Sequence, residues 1–550
     1  MIRRLLAAVV LLVAVWRVPA GLAAPQAMVA AAHPLAVEAG LEMLRRGGTA
    51  LDAAIAVQMV LGVVEPHASG IGGGGFLLHY DAASGAITVH DGRETAPAGA
   101  TATMFLAADG KPFDFAEAVA SGFAVGVPGL LAMLEQAHRE HGRLAWRDLF
   151  APAIDAARAG FPAPPRLVQW LGRLPKLADE PGIRAVYFNP DGSAKRLGER
   201  VTNPALAATM RLIADQGPSA VLEGDIAREI VERVRTHVRP GTLSLADLAG
   251  YRPVKREVLC GPYRRWTVCG MPPPSSGGIA VLQILKLLEP FDIWNDAPDS
   301  LRAVHLIAEA SRLAFADRAR YVADPAFVAV PVAGMLSEVY LDQRRTLMSP
   351  IRSMGDVEPG LPPGYVERGT SHVSIVDRMG NAVTFTTTIE APFGARMMVR
   401  GFLLNNELTD FAARPAIAGR LVANRVQPGK RPRSSMSPTF VFDGDRRLLA
   451  ALGSAGGARI IGDTVQAVIG LLDWNLSMQQ AVALPRVINV NGVTELEAET
   501  PLSGHADALR ALGHRVQVRR HEGGLSGVRR VDDGWEGAAD PRRDGAAKGE

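Results

Sequence analysis

Apolar residues recur along most of the chain at the three-to-four-residue spacing of helices, and short segments between them alternate as strands do. The segment after Thr49, ALDAAIAVQMVLGVV, is apolar on nearly every side, which is typical of a buried helix. Because the two kinds of pattern are interspersed and no internal repeat is present, the sequence predicts mixed α and β structure. Further helices are predicted at residues 34–46, 129–140, 145–159, 203–215, 224–237, 299–321 and 462–474, and strands at 76–90, 255–270, 372–388 and 437–452.

The strand segment at 372–388 reads as a hairpin, because β-branched and aromatic residues flank turn residues at 378–381. It begins directly after residues 349–369, a segment rich in Pro and Gly without regular spacing. Such a segment predicts an exposed loop, where chains are readily cut. The hairpin opens on a hydroxyl and imidazole cluster that includes His372, for which we predict a structural role at the strand end.

The start of the chain has the pattern of a secretory signal. Arg3 and Arg4 precede an apolar run over residues 5–16, and small residues follow at 21–24. A membrane anchor is the weaker alternative, because a span needs about 20 apolar residues. We therefore predict a signal peptide over residues 1–24 and a periplasmic or secreted protein.

Composition then excludes several partners. The formal charge of the 550 residues is +3, but residues 1–24 carry three arginines and no acidic residue, so the remainder has no net charge. Neither nucleic acid nor an anionic membrane is expected as a partner once the signal is removed. The only two cysteines, Cys260 and Cys269, lie in a predicted hairpin. They form either one cross-strand disulfide or a free buried pair, and they exclude a disulfide scaffold and a four-cysteine zinc site.

Three common site types fit the sequence poorly. Residues 70–75 have the glycine spacing of a dinucleotide loop, but a helix pattern precedes them and a strand follows, the reverse of the required order. Those glycines instead predict close backbone packing or amides supplied to a site. The 12 histidines show no H-E-x-x-H spacing, so no catalytic metal or other cofactor is predicted. No G-x-S-x-G elbow is present, and residue counts alone leave a Ser-His-Asp triad open.

Polar motifs in the second half suggest a site for a charged small molecule. Glu407 and Asp410 are three residues apart, so in a turn both carboxylates would face one way and suit an ammonium group. A solvated acidic turn is the alternative. Ser434 and Ser435 precede a predicted strand. Residues 456–457 are glycines just before a predicted helix, where backbone amides can stabilise an oxyanion.

Together and in this order, the motifs resemble those of the γ-glutamyltransferase family of N-terminal nucleophile hydrolases. The likeness runs from about Ala31 to ADPRRDG near the end, through GGTALDAAIA, EPHASGIGGGGF, DGRETAP, MPPPSSGG, GTSHVSIVDRMGNAVTFT, LLNNELTDF, RPRSSMSPT and GSAGGARI. It implies an α+β fold, a four-layer αββα sandwich formed by two intertwined chain segments. It also implies a precursor that cuts itself into a large subunit, residues 25–369, and a small subunit, residues 370–550, which remain together as a heterodimer in one domain.

The resemblance assigns the chemistry to the start of the hairpin. The cut would fall between Gly369 and Thr370, and Thr370 would then be the nucleophile. Its new α-amine, with a reference pKa of about 7.7–8.0, could act as the general base that a weak hydroxyl nucleophile needs. Thr388 matches the threonine that orients this terminus, and the amides of Gly456 and Gly457 would hold the oxyanion.

The same resemblance implies a γ-glutamyl substrate, such as a glutathione-like compound, whose acyl group passes to water or to an amino acid or peptide. Arg93 matches the arginine that grips the substrate α-carboxylate, and Ser434 and Ser435 would help hold that group. Glu407 and Asp410 would take the α-ammonium.

Two departures from the family pattern bear on the substrate. Glu390 stands where family members usually have a neutral asparagine beside the amino-group pocket. An added carboxylate there could strengthen ammonium binding, remain partly protonated, or indicate a different acyl group. Residues 412–429 are shorter than the lid loop of well-known members and contain no aromatic residue, which predicts a more open pocket.

Two other functions therefore remain as alternatives. A cephalosporin or glutaryl-amide acylase would use the same Thr370 with a different pocket, although Glu407 and Asp410 favour a substrate with an ammonium group. An uncleaved, inactive homologue that serves as a periplasmic binding protein is disfavoured, because the threonines and glycines assigned to catalysis are all present.

Overall fold

The computed structural model describes residues 24–358 and 369–550. A seven-stranded antiparallel sheet forms one of its two central layers. In order across this sheet the strands are β22 (Ala546–Gly549), β1 (Met28–Ala31), β9 (Gly369–Val376), β10 (Ala382–Glu390), β2 (Gly74–Tyr80), β3 (Ile87–Asp91) and β6 (Val254–Arg256).

A six-stranded sheet lies against the first. In order across it the strands are β21 (Gly534–Ala539), β20 (Ser526–Val531), β16 (Leu448–Gly453), β15 (Thr439–Phe442), β8 (Trp266–Gly270) and β7 (Leu259–Tyr263). Small peripheral sheets contain β4 (Phe161–Pro162) with β5 (Arg200–Val201), β11 (Met398–Val399) with β12 (Phe402–Leu403), β13 (Ala416–Ile417) with β14 (Arg420–Leu421), and β17 (Val487–Asn489), β18 (Thr494–Glu497) and β19 (Val516–Arg519).

Helices surround the two large sheets, and within the described residues their bounds are α1 (Pro34–Arg45), α2 (Ala50–Val64), α3 (Phe115–Val119), α4 (Leu130–His141), α5 (Ala151–Ala159), α6 (Pro165–Arg173), α7 (Pro181–Tyr187), α8 (Pro204–Gln216), α9 (Ser219–Leu222), α10 (Gly224–Arg235), α11 (Leu245–Gly250), α12 (Gly277–Leu288), α13 (Leu301–Tyr321), α14 (Val332–Met335), α15 (Glu338–Arg345), α16 (Arg459–Leu472), α17 (Met478–Ala483) and α18 (Ala506–Ala511). Most of the predicted helices match these bounds within a few residues. Residues 145–159 differ, because a 3-10 turn at Trp146–Phe150 precedes α5, whose first turn carries Pro152.

The buried α2 follows from its sequence. Thr49 caps it: the Thr49 hydroxyl accepts from the Asp52 amide, and the Asp52 carboxylate accepts from the Thr49 amide at 2.8 Å. Fourteen of the fifteen α2 residues are buried, as its uniformly apolar sequence predicts. The helix packs on the first sheet with α1, α4 and α5.

Alternation along the strands builds the layers. Leu77 of β2 packs among the helices on the outer face of the first sheet, whereas Phe76 and Leu78 point the other way, toward Phe440 and Phe442 of β15. The outer face of the second sheet packs against α12, α13, α16 and α17. The order of layers is helix, sheet, sheet, helix, which confirms the predicted αββα sandwich.

Both large sheets contain strands from before and after the cut predicted at Gly369. The first sheet places β9 and β10 between β1 and β2, and the second places β15 between β8 and β16. The two segments are thus intertwined, as predicted. The predicted signal peptide, apart from residue 24, and residues 359–368 of the predicted loop lie outside the described residues.

Two smaller findings complete the fold. Cys260 and Cys269 face each other across β7 and β8 and form a disulfide, which decides between the two states left open by the sequence. Within residues 24–358 and 369–550, no helix is both long and apolar enough to cross a membrane.

Candidate active site

One cavity lies beside the start of β9, the end of β10 and the start of α16. Every predicted site residue except Gly369 and Gly456 lines it, together with two apolar residues that the sequence did not indicate. The lining consists of Arg93, Thr370, Thr388, Glu390, Glu407, Asp410, Ser434, Ser435, Met436, Gly457 and Ile460.

The predicted nucleophile sits where the pairing of the central hairpin is irregular. Thr370 is the second residue of β9 and is 4 % exposed. Ser371 pairs with Thr387 and Gly369 with Glu390, so β10 carries an extra residue opposite Thr370. This bulge turns the Thr388 side chain toward the cavity, where its hydroxyl accepts from the Glu390 amide at 2.8 Å. Both threonines are therefore fixed by the backbone of one hairpin.

The run of glycines before β2 allows a close backbone approach to this hairpin. A Cβ on Gly73 would lie 2.1 Å from the carbonyl oxygen of Thr388, and one on Gly72 would lie 2.2 Å from that of Leu403. No side chain fits at such distances. Of the two interpretations of these glycines, close packing is confirmed, and it sets the position of Thr388.

Two residues behind Thr370 were not indicated by sequence reasoning. Arg543 donates to the Thr370 carbonyl oxygen at 2.9 Å and to that of Ala455 at 3.4 Å, and it thereby links the hairpin to the loop before α16. Glu65 accepts from the Ser371 hydroxyl at 2.9 Å, and burial raises its pKa. Both lie in quoted motifs, ADPRRDG and EPHASGIGGGGF, but nothing in the spacing of those motifs connects them with residue 370.

His372 is part of the scaffold, as the sequence predicted. Its ring is buried between the Thr386 hydroxyl, 2.9 Å from Nδ1, and the Ser374 hydroxyl, 3.0 Å from Nε2. Burial lowers its pKa to about 3, so the ring is neutral at pH 7. It does not line the cavity formed by the described residues.

The two glycines of the predicted oxyanion site precede α16. Gly457 lines the cavity with φ of +64°, and its neighbour Gly456, with φ of +134°, does not line it. Only glycine adopts these backbone angles readily. The start of a helix carries partial positive charge, so amides here are suited to a developing negative charge.

The charged wall of the cavity is arranged differently from the prediction in one respect. The Arg93 guanidinium donates to both Glu407 and Asp410, so the cation and the two acids form one cluster instead of separate subsites. Arg93 also donates to the carbonyl oxygens of Pro432 at 3.1 Å and Arg433 at 3.2 Å. Together these bonds use four of the five N–H donors of the guanidinium and fix its plane.

A further acidic residue, Glu94, lies beneath this cluster. Glu94 is fully buried next to Arg93. Burial, and then the charge of Glu407, raise the pKa of Glu94 well above its usual range, which favours its protonated form. The charged residues that line the cavity are Arg93, Glu407, Asp410 and Glu390, and Glu94 lies behind them.

Glu390, the departure from the family pattern, ends β10 with φ of +80°, an uncommon angle for a residue other than glycine. The side-chain amide of Asn406 donates to the Glu390 carboxylate at 2.5 Å. The same amide nitrogen donates to the Thr409 hydroxyl at 3.0 Å. The strained backbone and the amide together hold the Glu390 carboxylate at the cavity wall.

The serine pair is supported by an arginine that the sequence did not indicate. Arg318 of α13 donates to the Ser435 hydroxyl at 2.6 Å and to the Ser276 hydroxyl at 2.7 Å. Because Ser435 accepts from a cation, its own hydroxyl hydrogen is directed elsewhere. Ser434 accepts from the Met436 amide at 3.1 Å. Both hydroxyls can therefore donate into the cavity.

Comparison with known proteins agrees with this geometry. The family model described as gamma-glutamyltranspeptidase matches residues 36–550. The chain belongs to the gamma-glutamyltranspeptidase family. It is an enzyme of the N-terminal nucleophile hydrolase type, which confirms the resemblance seen in the sequence.

Relatives of this gamma-glutamyltranspeptidase family member carry two kinds of name. A glutathione hydrolase proenzyme of Bacillus subtilis (strain 168) is 37% identical over 95% of this chain and 91% of its own length. The acylase ACY 1 proenzyme of Pseudomonas sp. (strain SE83) is 39% identical over 94% of this chain and 92% of its own length. Among solved structures, a cephalosporin acylase from Bacillus halodurans superposes with a TM-score of 0.84 at 27% identity, covering 98% of each chain.

Proposed function

We propose that the chain is the precursor of a γ-glutamyl transferase and hydrolase that acts on glutathione-like compounds. The observation that carries this proposal is the composition of a single cavity. It combines a strand-end threonine with Arg93, two serine hydroxyls and the acids Glu407 and Asp410. One cation and several acids in one small cavity suit the two charged ends of an amino-acid zwitterion.

Maturation would occur within β9. The Thr370 hydroxyl would add to the Gly369 carbonyl carbon, the peptide C–N bond would break, and the hydroxyl proton would pass to the freed α-amine of Thr370. Water would then hydrolyse the resulting ester, which restores the hydroxyl and leaves a carboxylate on Gly369. Residues 25–369 and 370–550 would remain a heterodimer, since strands from both segments alternate in both sheets.

Turnover would use the same hydroxyl. Thr370 Oγ would attack the substrate γ-carbonyl, with the Thr370 α-amine as base and Thr388 orienting that amine. The amides of Gly456 and Gly457 would hold the oxyanion. The amide bond breaks, the leaving amine takes the proton, and the acyl group stays on Thr370 as an ester. Water or the amine of an amino acid or peptide would then receive it.

Substrate recognition would reorganise the charged cluster. The α-carboxylate would bind Arg93 together with Ser434 and Ser435, and the α-ammonium would bind Glu407 and Asp410. Arg93 pairs with both acids before substrate arrives, so the substrate carboxylate would replace the acids at Arg93 and the ammonium would replace Arg93 at the acids. Glu390 adds a carboxylate to the same wall and would favour an acyl group that carries an ammonium.

A glutaryl-amide or cephalosporin acylase is the second candidate. The acylase names among the relatives and the close superposition on a cephalosporin acylase favour it. An acyl group without an ammonium would leave Glu407, Asp410 and Glu390 without a cationic partner from the substrate, which is costly in a buried site. This is why we place the γ-glutamyl activity first. In either case, the predicted signal at residues 1–24 supports a periplasmic or secreted enzyme.

Paired chromogenic substrates test the assignment. A γ-glutamyl anilide and a glutaryl anilide differ only in the α-amino group, so kcat/KM for the two isolates recognition of the ammonium. We expect the γ-glutamyl compound to be favoured by about 100-fold, the effect of a charged hydrogen-bonded contact or two. Preference for the glutaryl compound would assign the acylase activity instead. Thr370→Ala serves as the blank for both.

A further inference from the structure

We propose that the chain binds a divalent transition-metal ion of the Zn²⁺ type between His90, His141 and Glu140, beside the stacked ring of His79. We call these four residues the histidine cluster. No part of the proposed reaction uses them, and they come from three different elements: β2, β3 and the last turn of α4.

Strand register brings the first two imidazoles together. In the antiparallel β2–β3 pair, Thr88 is the cross-strand partner of His79, and Leu77 is that of His90. His79 and His90 are therefore diagonal neighbours, and their side chains lie on the same face of the sheet. The end of α4 covers that face and supplies His141, whose ring stacks on His79 with centroids 3.9 Å apart. The rings of His90 and His141 meet edge to face at 6.0 Å.

The two ring nitrogens of His90 are arranged as in a metal-binding histidine. His90 Nδ1 lies 3.2 Å from the side-chain amide oxygen of Gln136. Because that oxygen is an acceptor, Nδ1 carries the proton and Nε2 presents its lone pair. A hydrogen bond from the non-ligating nitrogen is the usual support of a metal-binding histidine. His90 Nε2, His141 Nε2 and His79 Nδ1 are buried and have no hydrogen-bond partner among the described residues.

A carboxylate completes the set. One nitrogen each from His90 and His141 and one oxygen of Glu140 lie within 4.8 Å of one another. Glu140 Oε2 is 3.7 Å from His141 Nε2, while Lys255 binds the other oxygen at 2.7 Å. Zinc–ligand bonds of about 2.0–2.2 Å need these atoms slightly closer, which a small rotation of the surface side chain of Glu140 provides.

The charges around the cluster and its donor set also bear on cation binding. The nearby charges are Glu140 and Asp81, which favour a cation, and Lys255, which opposes it. Two imidazole nitrogens and one carboxylate oxygen, with water in the remaining coordination positions, are a donor set that Zn²⁺, Ni²⁺ and Cu²⁺ accept.

A second cluster of the same residue types differs, because its side-chain nitrogen and oxygen atoms already have hydrogen-bond partners. His305, Glu309 and His514 are also close enough to share an ion. There, however, the two rings bond to each other at 2.7 Å, and Glu309 accepts from Ser353 at 2.9 Å and the Met354 amide at 2.7 Å. Its donors already have partners, and it serves as an internal comparison.

The metal would act on the scaffold and not in the reaction. Gly74, at the start of β2, pairs with Thr388, and His79 is five residues further along, roughly 17 Å away at about 3.4 Å per residue. An ion there would tie β3 to the end of α4 and raise the stability of the first sheet.

The test uses the full-length, tag-free protein after removal of metals with a chelator. Zn²⁺ binding is measured by calorimetry and by metal analysis after dialysis, with Ni²⁺ and Cu²⁺ in parallel. We expect one Zn²⁺ per chain and a rise in the thermal midpoint. His141→Ala should weaken binding by about 100-fold or more, and Glu140→Gln by about tenfold, as losses of ligands at metal sites do.

His237→Ala is the matched control, because His237 is a partly buried histidine outside the cluster that contacts Arg239. It should bind Zn²⁺ like the wild type. Retained γ-glutamyl anilide turnover in every variant would show that each is folded. Absence of stoichiometric Zn²⁺ binding by the wild type, or equal binding by His141→Ala, would overturn the proposal.

Discussion

The two walls of the cavity are built in different ways. The nucleophile wall, Thr370 and Thr388, belongs to one hairpin and is fixed by main-chain pairing and a bulge. The recognition wall joins Arg93 to Glu407, 314 residues away, through charged side chains. One wall is uncharged and set by the backbone, and the other contains one cation and three acidic residues. We infer that the first governs bond cleavage and the second governs which acyl group is accepted.

This difference leads to a general prediction that single substitutions can test. Changes in the nucleophile wall should stop chain cleavage and turnover together, because both use one hydroxyl. Changes in the recognition wall should spare chain cleavage and impair turnover, because cleavage involves no substrate zwitterion. The expected effects below run from the largest to the smallest.

Thr370→Ala should abolish both processes. The variant lacks the oxygen that adds to the Gly369 carbonyl and to the substrate, so it should run as one band on a denaturing gel and be inactive. Thr370→Ser, which keeps a hydroxyl, should still be cut. A persistent single band in the wild type, without activity, would instead favour the binding-protein alternative.

Arg93→Lys should separate the two walls. Lysine keeps the charge between Glu407 and Asp410 but loses the planar fork, so kcat/KM for a γ-glutamyl anilide should fall by about 100-fold. Chain cleavage, followed on the same gel, should proceed as in the wild type. If cleavage failed together with turnover, the division into two walls would be wrong.

Glu407→Gln should change selectivity more than rate. Loss of one negative charge weakens the ammonium contact, so KM for the γ-glutamyl anilide should rise by about tenfold while that for the glutaryl anilide stays the same. Asp410→Asn removes the other negative charge proposed to bind the ammonium on the same cavity wall, and serves as the matched variant. An equal change for both substrates would show that Glu407 acts on the fold or on Arg93 instead of on the ammonium.

Arg543→Lys tests a contact behind the nucleophile wall. Its Nη1 donates to the Thr370 carbonyl oxygen, and loss of that charged hydrogen bond should slow chain cleavage by several-fold to about tenfold. The neighbouring Arg542, which pairs with Glu497 and Asp540, provides the control Arg542→Lys. Equal slowing in both variants would indicate a general loss of stability, so urea midpoints should be measured alongside.

The hairpin that carries the nucleophile wall also contains His372, which should make the stability of the folded protein sensitive to acid. Buried His372 has a folded-state pKa of about 3, against 6.5 when unfolded, so below pH 6.5 the unfolded state binds a proton that the folded state does not. The free energy of unfolding should then fall by about 1.4 kcal/mol per pH unit down to pH 3 on this account alone. Urea titrations of the wild type and His372→Asn at pH 7, 6 and 5 should give a shallower pH dependence for the variant.

Local patterns predicted local structure well. The uniformly apolar segment after Thr49 is the buried α2, and the hairpin around residues 378–381 is β9 and β10. Spacing rules work for such elements because the residues that interact are a few positions apart. The layered fold and the set of residues that meet in the cavity were predicted from the resemblance to a family. Local spacing could not predict them, because no periodicity relates Arg93 to Glu407.

Other features were beyond both kinds of reasoning. The bond from Arg543 to Thr370 spans 173 residues, and that from Arg318 to Ser435 spans 117. The raised pKa of Glu94 depends on its burial beside Glu407, which is a property of packing and not of sequence. The histidine cluster likewise depends on strand register, because its members are dispersed between residues 79 and 141.

The most direct test of the central claim is intact mass spectrometry of the purified enzyme, with and without a slowly turned-over γ-glutamyl donor. We expect two polypeptides, the smaller beginning at Thr370, and a γ-glutamyl mass increment confined to the N-terminal residue of that smaller piece. An active enzyme that remains one uncut chain, or an acyl increment on any residue other than Thr370, would contradict the account.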